Sequence, residues 1–110
     1  MRVIHIDEFY DMGWKRVVSE IKDRVGDGPV YISFDIDCLD PAFAPGTGTP
    51  VAGGMTTFEA LRVLRGLRGL NVIGGDLVEV SPPFDPAGIT ALAGATLMFE
   101  ILFLAAETRT

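Results

Sequence analysis

The chain has 110 residues, 48% of them hydrophobic and 22% charged, a globular profile that excludes a disordered tail and allows one ordinary core. A formal net charge of −6 provides no basic stripe to neutralise phosphates, which argues against nucleic acid and anionic membrane surfaces and leaves small cationic molecules as better partners. With Cys38 the lone cysteine, neither an internal disulfide nor a cysteine-rich zinc site can form, as expected in the reducing cytoplasm.

The opening stretch, MRVIHIDEFYD, lacks the basic flank and apolar core of a signal peptide and reads as structure. Arg2 to Ile6 is predicted as a first strand. His5, the only histidine, sits on it and reads as a packed or strand-end residue rather than a proton shuttle. Trp14, Val17, Val18, Ile21 and Val25 recur at helical spacing up to a Gly26-Asp27-Gly28-Pro29 break. Val30 to Ile36 is a nearly continuous apolar run, as in a central parallel strand buried on both faces. A Pro/Gly-rich loop, Asp37 to Gly54, follows. Loops of that length inside a domain are usually functional or disordered, and its position after a buried strand favours function.

Thr56 with Glu59 spells a capping box that opens a helix through Leu61, Leu64 and Leu67. Leu70 to Val80 then gives a third strand, and Pro82, Pro83 and Pro86 break the chain before a last helix. Ala87 to Ala106 is long and apolar enough to span a membrane, but Glu100 near its middle would cost about 2.5 to 3.5 kcal/mol on insertion scales, and no Lys/Arg cluster flanks it. A helix buried against a sheet fits better. The alternation of short apolar runs with helical stretches predicts an α/β domain over residues 1–110, with a parallel sheet, helices on its faces and ligands beyond the carboxyl ends of the strands.

Asp35 and Asp37 lie at such an end. Two apart on a strand, their carboxylates project to one side if extended geometry persists, and two close carboxylates suit a hard or borderline divalent cation such as Mg²⁺ or Mn²⁺. A pair that merely caps the loop fits the spacing equally well. Cys38 has acids beside it and no histidine base, so it reads as a small buried residue and not a nucleophile. Gly46-x-Gly48 lacks a third glycine at Val51 and does not join a strand to a helix, which argues against dinucleotide binding.

The run Ser33-Phe34-Asp35-Ile36-Asp37-Cys38-Leu39-Asp40-Pro41, continued by Ala44-Pro45-Gly46 and Gly53-Gly54, resembles the signature of the ureohydrolases, the agmatinases, arginases and their relatives. Gly74-Gly75-Asp76-Leu77-Val78-Glu79-Val80-Ser81-Pro82 resembles the family's second C-terminal motif. The resemblance implies a three-layer αβα fold with a parallel sheet, of which only the C-terminal portion is present. It implies that Asp35 and Asp37 are ligands of a centre of two Mn²⁺ ions, that Ser33 has no ligand role, that Asp40 shapes its turn, and that Glu79 receives the guanidinium of the substrate. A carboxylate suits that task, because the planar guanidinium fork donates to both its oxygens. Asp76 is left structural. The details lean toward agmatinase, implying hydrolysis of agmatine to putrescine and urea, with guanidinobutyrate as another guanidino substrate and a homo-oligomer in the full-length form. The family's upstream G-G-D-H and D-A-H-x-D segments, which supply the other ligands, do not occur here. The chain therefore reads as a truncated or split member, with two rivals. One is a non-catalytic fragment that pairs with a partner through a sheet edge. The other, a phosphoryl-transfer metalloenzyme, would need a phosphate loop or a lysine beyond Lys22.

Overall fold

The computed structural model describes residues 1–108. Residues 1–5 form no strand, and the chain enters helix α1 (Ile6–Met12) directly. The predicted first strand, Arg2 to Ile6, is thus absent among the described residues, although its β-branched pattern is real. A strand persists only where a neighbour takes up its N–H and C=O groups, and this segment pairs with neither strand of the sheet. Arg2 instead turns to Glu8 and Glu20, leaving Val3 about half exposed. Gly13, at φ 79, separates α1 from α2 (Trp14–Val25), a conformation that only glycine adopts without strain. Val17 and Val18 form the buried stripe of α2, as their spacing predicts.

Among the described residues the sheet has two parallel strands and not three, β1 (Pro29–Asp35) and β2 (Asn71–Val78). Along β1 burial alternates: Val30, Ile32 and Phe34 are partly buried, while Tyr31, 59% exposed, and Ser33 point to the other side. The expectation of burial on both faces fails for these residues, because every described helix that packs on the sheet lies on one face. On the bare face, Tyr31 and Val78 stay exposed, and Asp76 accepts hydrogen bonds from Tyr31 Oη at 2.9 Å and Ser33 Oγ at 2.6 Å.

Between the strands runs the long loop and then α3 (Thr57–Gly66). Its capping box is formed as the sequence spells it: Thr56 Oγ1 accepts from the Glu59 N–H at 3.1 Å, and Glu59 Oε1 accepts from the Thr56 N–H at 3.0 Å. Short 3₁₀ turns at Pro82–Phe84 and Pro86–Gly88 lead into α4 (Ile89–Thr108). Leu97 and Ile101 of α4 are fully buried in a core shared with Ile36, Leu64 and Val72, each burial contributing about 2 kcal/mol. Gly75 lets α4 approach the sheet, since a Cβ there would lie 2.5 Å from Ile101 Cγ2. Pro86–Thr108, with mean hydropathy 2.0, is long and apolar enough to cross a membrane. Yet its inner face packs on the sheet, and Glu100 and Glu107 pair with Arg65 of α3 and with Arg68 in the turn after it, at 2.9 Å each.

Candidate functional site

The parallel register sets Asp35, the last residue of β1, opposite Val78, so Glu79 follows directly across the sheet from it. Extended geometry stops there. Ile36–Cys38 is a 3₁₀ turn, and the Asp35 carboxylate caps it by accepting the Asp37 N–H at 3.0 Å. The two carboxylates therefore come together through a capped turn and not, as the strand spacing predicts, through strand alternation. Burial pushes the Asp35 carboxyl above its usual range, with Asp37 and Glu79 adding like charge in the same direction. The three acids share one corner at the carboxyl ends of the strands.

Each acid is held differently. Asp37 Oδ2 accepts from Thr49 Oγ1 at 2.8 Å, across the long loop. Glu79 has φ 75, a left-handed conformation uncommon outside glycine, which turns the chain sharply where β2 ends. Strain of this kind persists only where surrounding contacts enforce it, and it concentrates at functional positions.

Those contacts come from the loop, which is ordered by its own side chains. Asp40 Oδ1 accepts from the Ala42 N–H at 2.9 Å and Oδ2 from the Gly53 N–H at 2.8 Å, the turn-shaping role that its motif position implies. These backbone bonds hold the Asp40 carboxyl below its usual range. A short parallel bridge joins Leu39 to Met55, with Asp40 N–H to Met55 O at 2.8 Å and Met55 N–H to Cys38 O at 2.9 Å. Gly54 has backbone on both sides there, its Cβ position lying 2.7 Å from Asp40 N and 2.7 Å from Cys38 O. Tyr10 of α1 closes the loop from outside, donating to Gly54 O at 2.7 Å. Further along, Gly46 is gripped by the segment after Glu79: its N–H donates to Thr90 Oγ1 and its C=O accepts from the Ser81 N–H, both at 2.7 Å.

Beside Asp37 lies a mostly apolar cavity of about 320 Å³, lined by Ile4, Ile6, Phe9, Cys38, Val51 and Met55 among others. Burial, helped by Asp35 and Asp37, pushes the Cys38 thiol up to about 12, so it stays protonated and inert at neutral pH. His5 stands at the N-terminal end of α1. The geometry thus brings Asp35, Asp37 and Glu79 together and leaves His5 and Asp76 elsewhere. Sequence reading missed Thr49, Thr90 and Asp85, whose roles lie in hydrogen bonds across the fold rather than in any local spacing.

Carboxylate oxygens at a strand end match the hard donors that Mn²⁺ takes, so Asp35 and Asp37 fit such an ion. They do not complete a coordination sphere, because no group of three or more His, Cys, Asp or Glu side chains converges in ligand geometry among the described residues.

A model of the arginase family matches residues 1–104. A guanidinopropionase of Pseudomonas aeruginosa is 59% identical over 108 residues, covering 98% of this chain and 34% of the relative. An agmatinase of Proteus mirabilis is 58% identical over 107 residues, covering 97% of this chain and 35% of its own length. The crystal structure of a hypothetical agmatinase from Burkholderia thailandensis superimposes with a TM-score of 0.94 at 46% identity, covering 99% of this chain and 35% of that one. The chain spans about a third of the length of the curated relatives it matches.

Proposed function

The chain belongs to the arginase family, with the sheet and helices of that fold, and on this premise we propose that it is part of a Mn²⁺-dependent ureohydrolase whose substrate is agmatine. The observation that carries the reading is the convergence of Asp35 and Asp37 with Glu79 at the carboxyl ends of two adjacent parallel strands. Asp35 and Asp37 would hold the metal, with Thr49 fixing the rotamer of Asp37. Two Mn²⁺ ions, when bound, supply Lewis-acid and water-activating chemistry. Glu79 accepts the guanidinium fork and sets its carbon at that corner, converting an encounter into a positioned reaction. The rigid loop and the strained Glu79 backbone preorganise the two sides before substrate arrives.

Agmatine is favoured over a guanidino acid by charge. The loop Asp37–Gly54 and the connection from Glu79 to Gly88 carry four carboxylates between them and no Lys or Arg, which suits a substrate with a cationic tail. The guanidinopropionase relative supports a second reading, a guanidino acid substrate, with cations for its carboxylate contributed from outside these residues. The remaining metal ligands belong, in this reading, to sequence not contained in the chain, and the complete protein is a cytoplasmic homo-oligomer.

The test is to graft the segment in place of the matching segment of the P. aeruginosa relative and titrate Mn²⁺ by calorimetry into the chimera and its Asp35→Asn and Asp37→Asn variants. Each variant loses a charged oxygen ligand with little change of shape, so both should bind Mn²⁺ more weakly. Two ions bound at parental affinity by both variants would remove the metal assignment.

A further inference from the structure

We propose that Thr90, seated by Asp85, is a positioning residue that sets the distance between the two arms of the site. The inference rests on the reading of Asp35, Asp37 and Glu79 given above, and assigns to that site a residue 11 positions beyond Glu79 in sequence. One arm is the loop that begins at Asp37; the other is the connection that begins at Glu79. They touch at Gly46. Its N–H donates to Thr90 Oγ1 at 2.7 Å, and its C=O accepts at 2.7 Å from the N–H of Ser81, two residues after Glu79. Both backbone polar groups of one residue on the first arm are thus held by the second.

Thr90 is completely buried, so its hydroxyl has no water to turn to. Its own placement is fixed by Asp85, whose Oδ1 accepts the Thr90 N–H at 2.7 Å and whose Oδ2 accepts the Ala91 N–H at 2.9 Å. Gly46 lies so close to Asp85 that a Cβ would meet the Asp85 Cβ at 2.5 Å. The junction is therefore tight on three sides. Asp37 is also anchored away from Gly46, by the 3₁₀ turn that Asp35 caps and by the Leu39–Met55 bridge. Loosening the Gly46 junction should move Glu79 against the metal carboxylates while leaving those carboxylates in place. The consequence is selective: guanidinium capture suffers and metal affinity does not.

The experiment uses the chimera with Thr90→Val, which keeps shape but removes the acceptor, and Thr90→Ser, which restores it. Affinity for n-butylguanidine is measured on metal-free protein, Mn²⁺ affinity by calorimetry, and kcat and KM for agmatine on loaded enzyme, all at a temperature where circular dichroism shows full folding. Thr90→Val should weaken n-butylguanidine binding and lower kcat/KM by roughly tenfold or more, with Mn²⁺ affinity near the parent's, and Thr90→Ser should recover most of the loss. If Thr90→Val does not fold, Asp85→Asn, which removes one of the two acceptors that seat Thr90, decides the matter by the same readouts. Parental guanidine affinity and kcat/KM in a folded variant would overturn the proposal, as would an equal loss in Thr90→Ser, which would reduce Thr90 to packing. Glu79→Gln, measured alongside, separates the two levels. If it leaves n-butylguanidine affinity unchanged, the site reading itself is wrong; if it weakens binding and Thr90→Val does not, only the present inference fails.

Discussion

Replacing Gly54 by alanine tests whether the bridge behind Asp37 is as tight as it looks. The added methyl would sit 2.7 Å from Asp40 N, 2.7 Å from Cys38 O and 2.8 Å from Leu39 C, all backbone atoms that no side-chain rotation can move. Relief requires the two segments to separate, which breaks the hydrogen bonds from Asp40 N–H to Met55 O and from Met55 N–H to Cys38 O. Each contributes about 0.5 to 1.5 kcal/mol net, and overpacking of this kind costs about 1 to 3 kcal/mol, so a loss of about 2 kcal/mol is expected. Gly48→Ala is the control, since nothing lies within 4 Å of its Cβ position, and it should stay within about 0.5 kcal/mol of the parent. Denaturant unfolding of the two chimeric variants, read at the midpoint with the slope checked for constancy, compares them directly. Equal midpoints for Gly54→Ala and Gly48→Ala would show that the bridge is loose and that the loop is not held as described.

Thr49→Val should weaken Mn²⁺ binding by roughly tenfold through the lost hold on Asp37 Oδ2, read by calorimetry; parental affinity would show that Asp37 needs no such support. Glu79→Gln keeps the volume but not the charge facing the guanidinium, so kcat/KM for agmatine should fall while metal content by elemental analysis stays near the parent's. Asp40 and Asp85 both titrate below the usual carboxylate range, Asp40 because the Ala42 and Gly53 N–H groups favour its ionised form, Asp85 because the Thr90 and Ala91 N–H groups outweigh the opposing effect of its burial. Groups lowered in the folded state contribute stability above their unfolded value, near 3.8, and lose it as pH falls through their folded values. Protection from hydrogen exchange at Ala42, Gly53, Thr90 and Ala91, relative to the unfolded chain at the same pH, should therefore be lost only below about pH 3.8; protection lost already above pH 5 would contradict the assignment. Supplied with excess Mn²⁺, the isolated 110-residue chain should release urea from agmatine far more slowly than the chimera and should self-associate by light scattering. Two carboxylates fix neither ion closely, and the bare sheet face and strand edges favour association. Turnover typical of an enzyme from a metal-loaded monomer would mean that another residue completes the site, with His5 the first candidate.

Elements whose signal is local were legible. The Thr56 and Glu59 capping box needs only four consecutive residues, and both halves form. The helical spacing from Trp14 to Val25 and the apolar runs leading to Asp35 and Val78 likewise find their elements within a residue or two. Arg2 to Ile6 fails for the opposite reason. A strand is a relation between two segments, so composition can state a preference but cannot supply the neighbour that realises it. The same holds for the bare face of the sheet: Tyr31 and Val78 carry the pattern of a covered surface, and only the layer opposite decides whether they are covered. In relatives about three times as long there is room for both the missing neighbour and the missing layer.

The candidate site divides along the same line. Asp35, Asp37 and Glu79 stood out because their chemistry is written into short motifs at strand ends. The groups that hold them there did not. Gly46 and Thr90 are 44 residues apart, and their bond depends on where the loop and the start of α4 meet in space. Thr49 and Asp37, 12 apart across an irregular loop, have no periodic template to join them. Even the Asp35–Asp37 pair reaches its arrangement by a route the spacing does not state, since the strand ends one residue too early for alternation and a capped 3₁₀ turn takes over. That substitution has a chemical consequence. With one Asp35 oxygen engaged by the Asp37 N–H and one Asp37 oxygen by Thr49, each carboxylate is turned in a fixed direction before any cation arrives. Like charges held close and oriented by hydrogen bonds attract a divalent cation more strongly than the same acids free to swing apart, because the cost of bringing them together is met during folding.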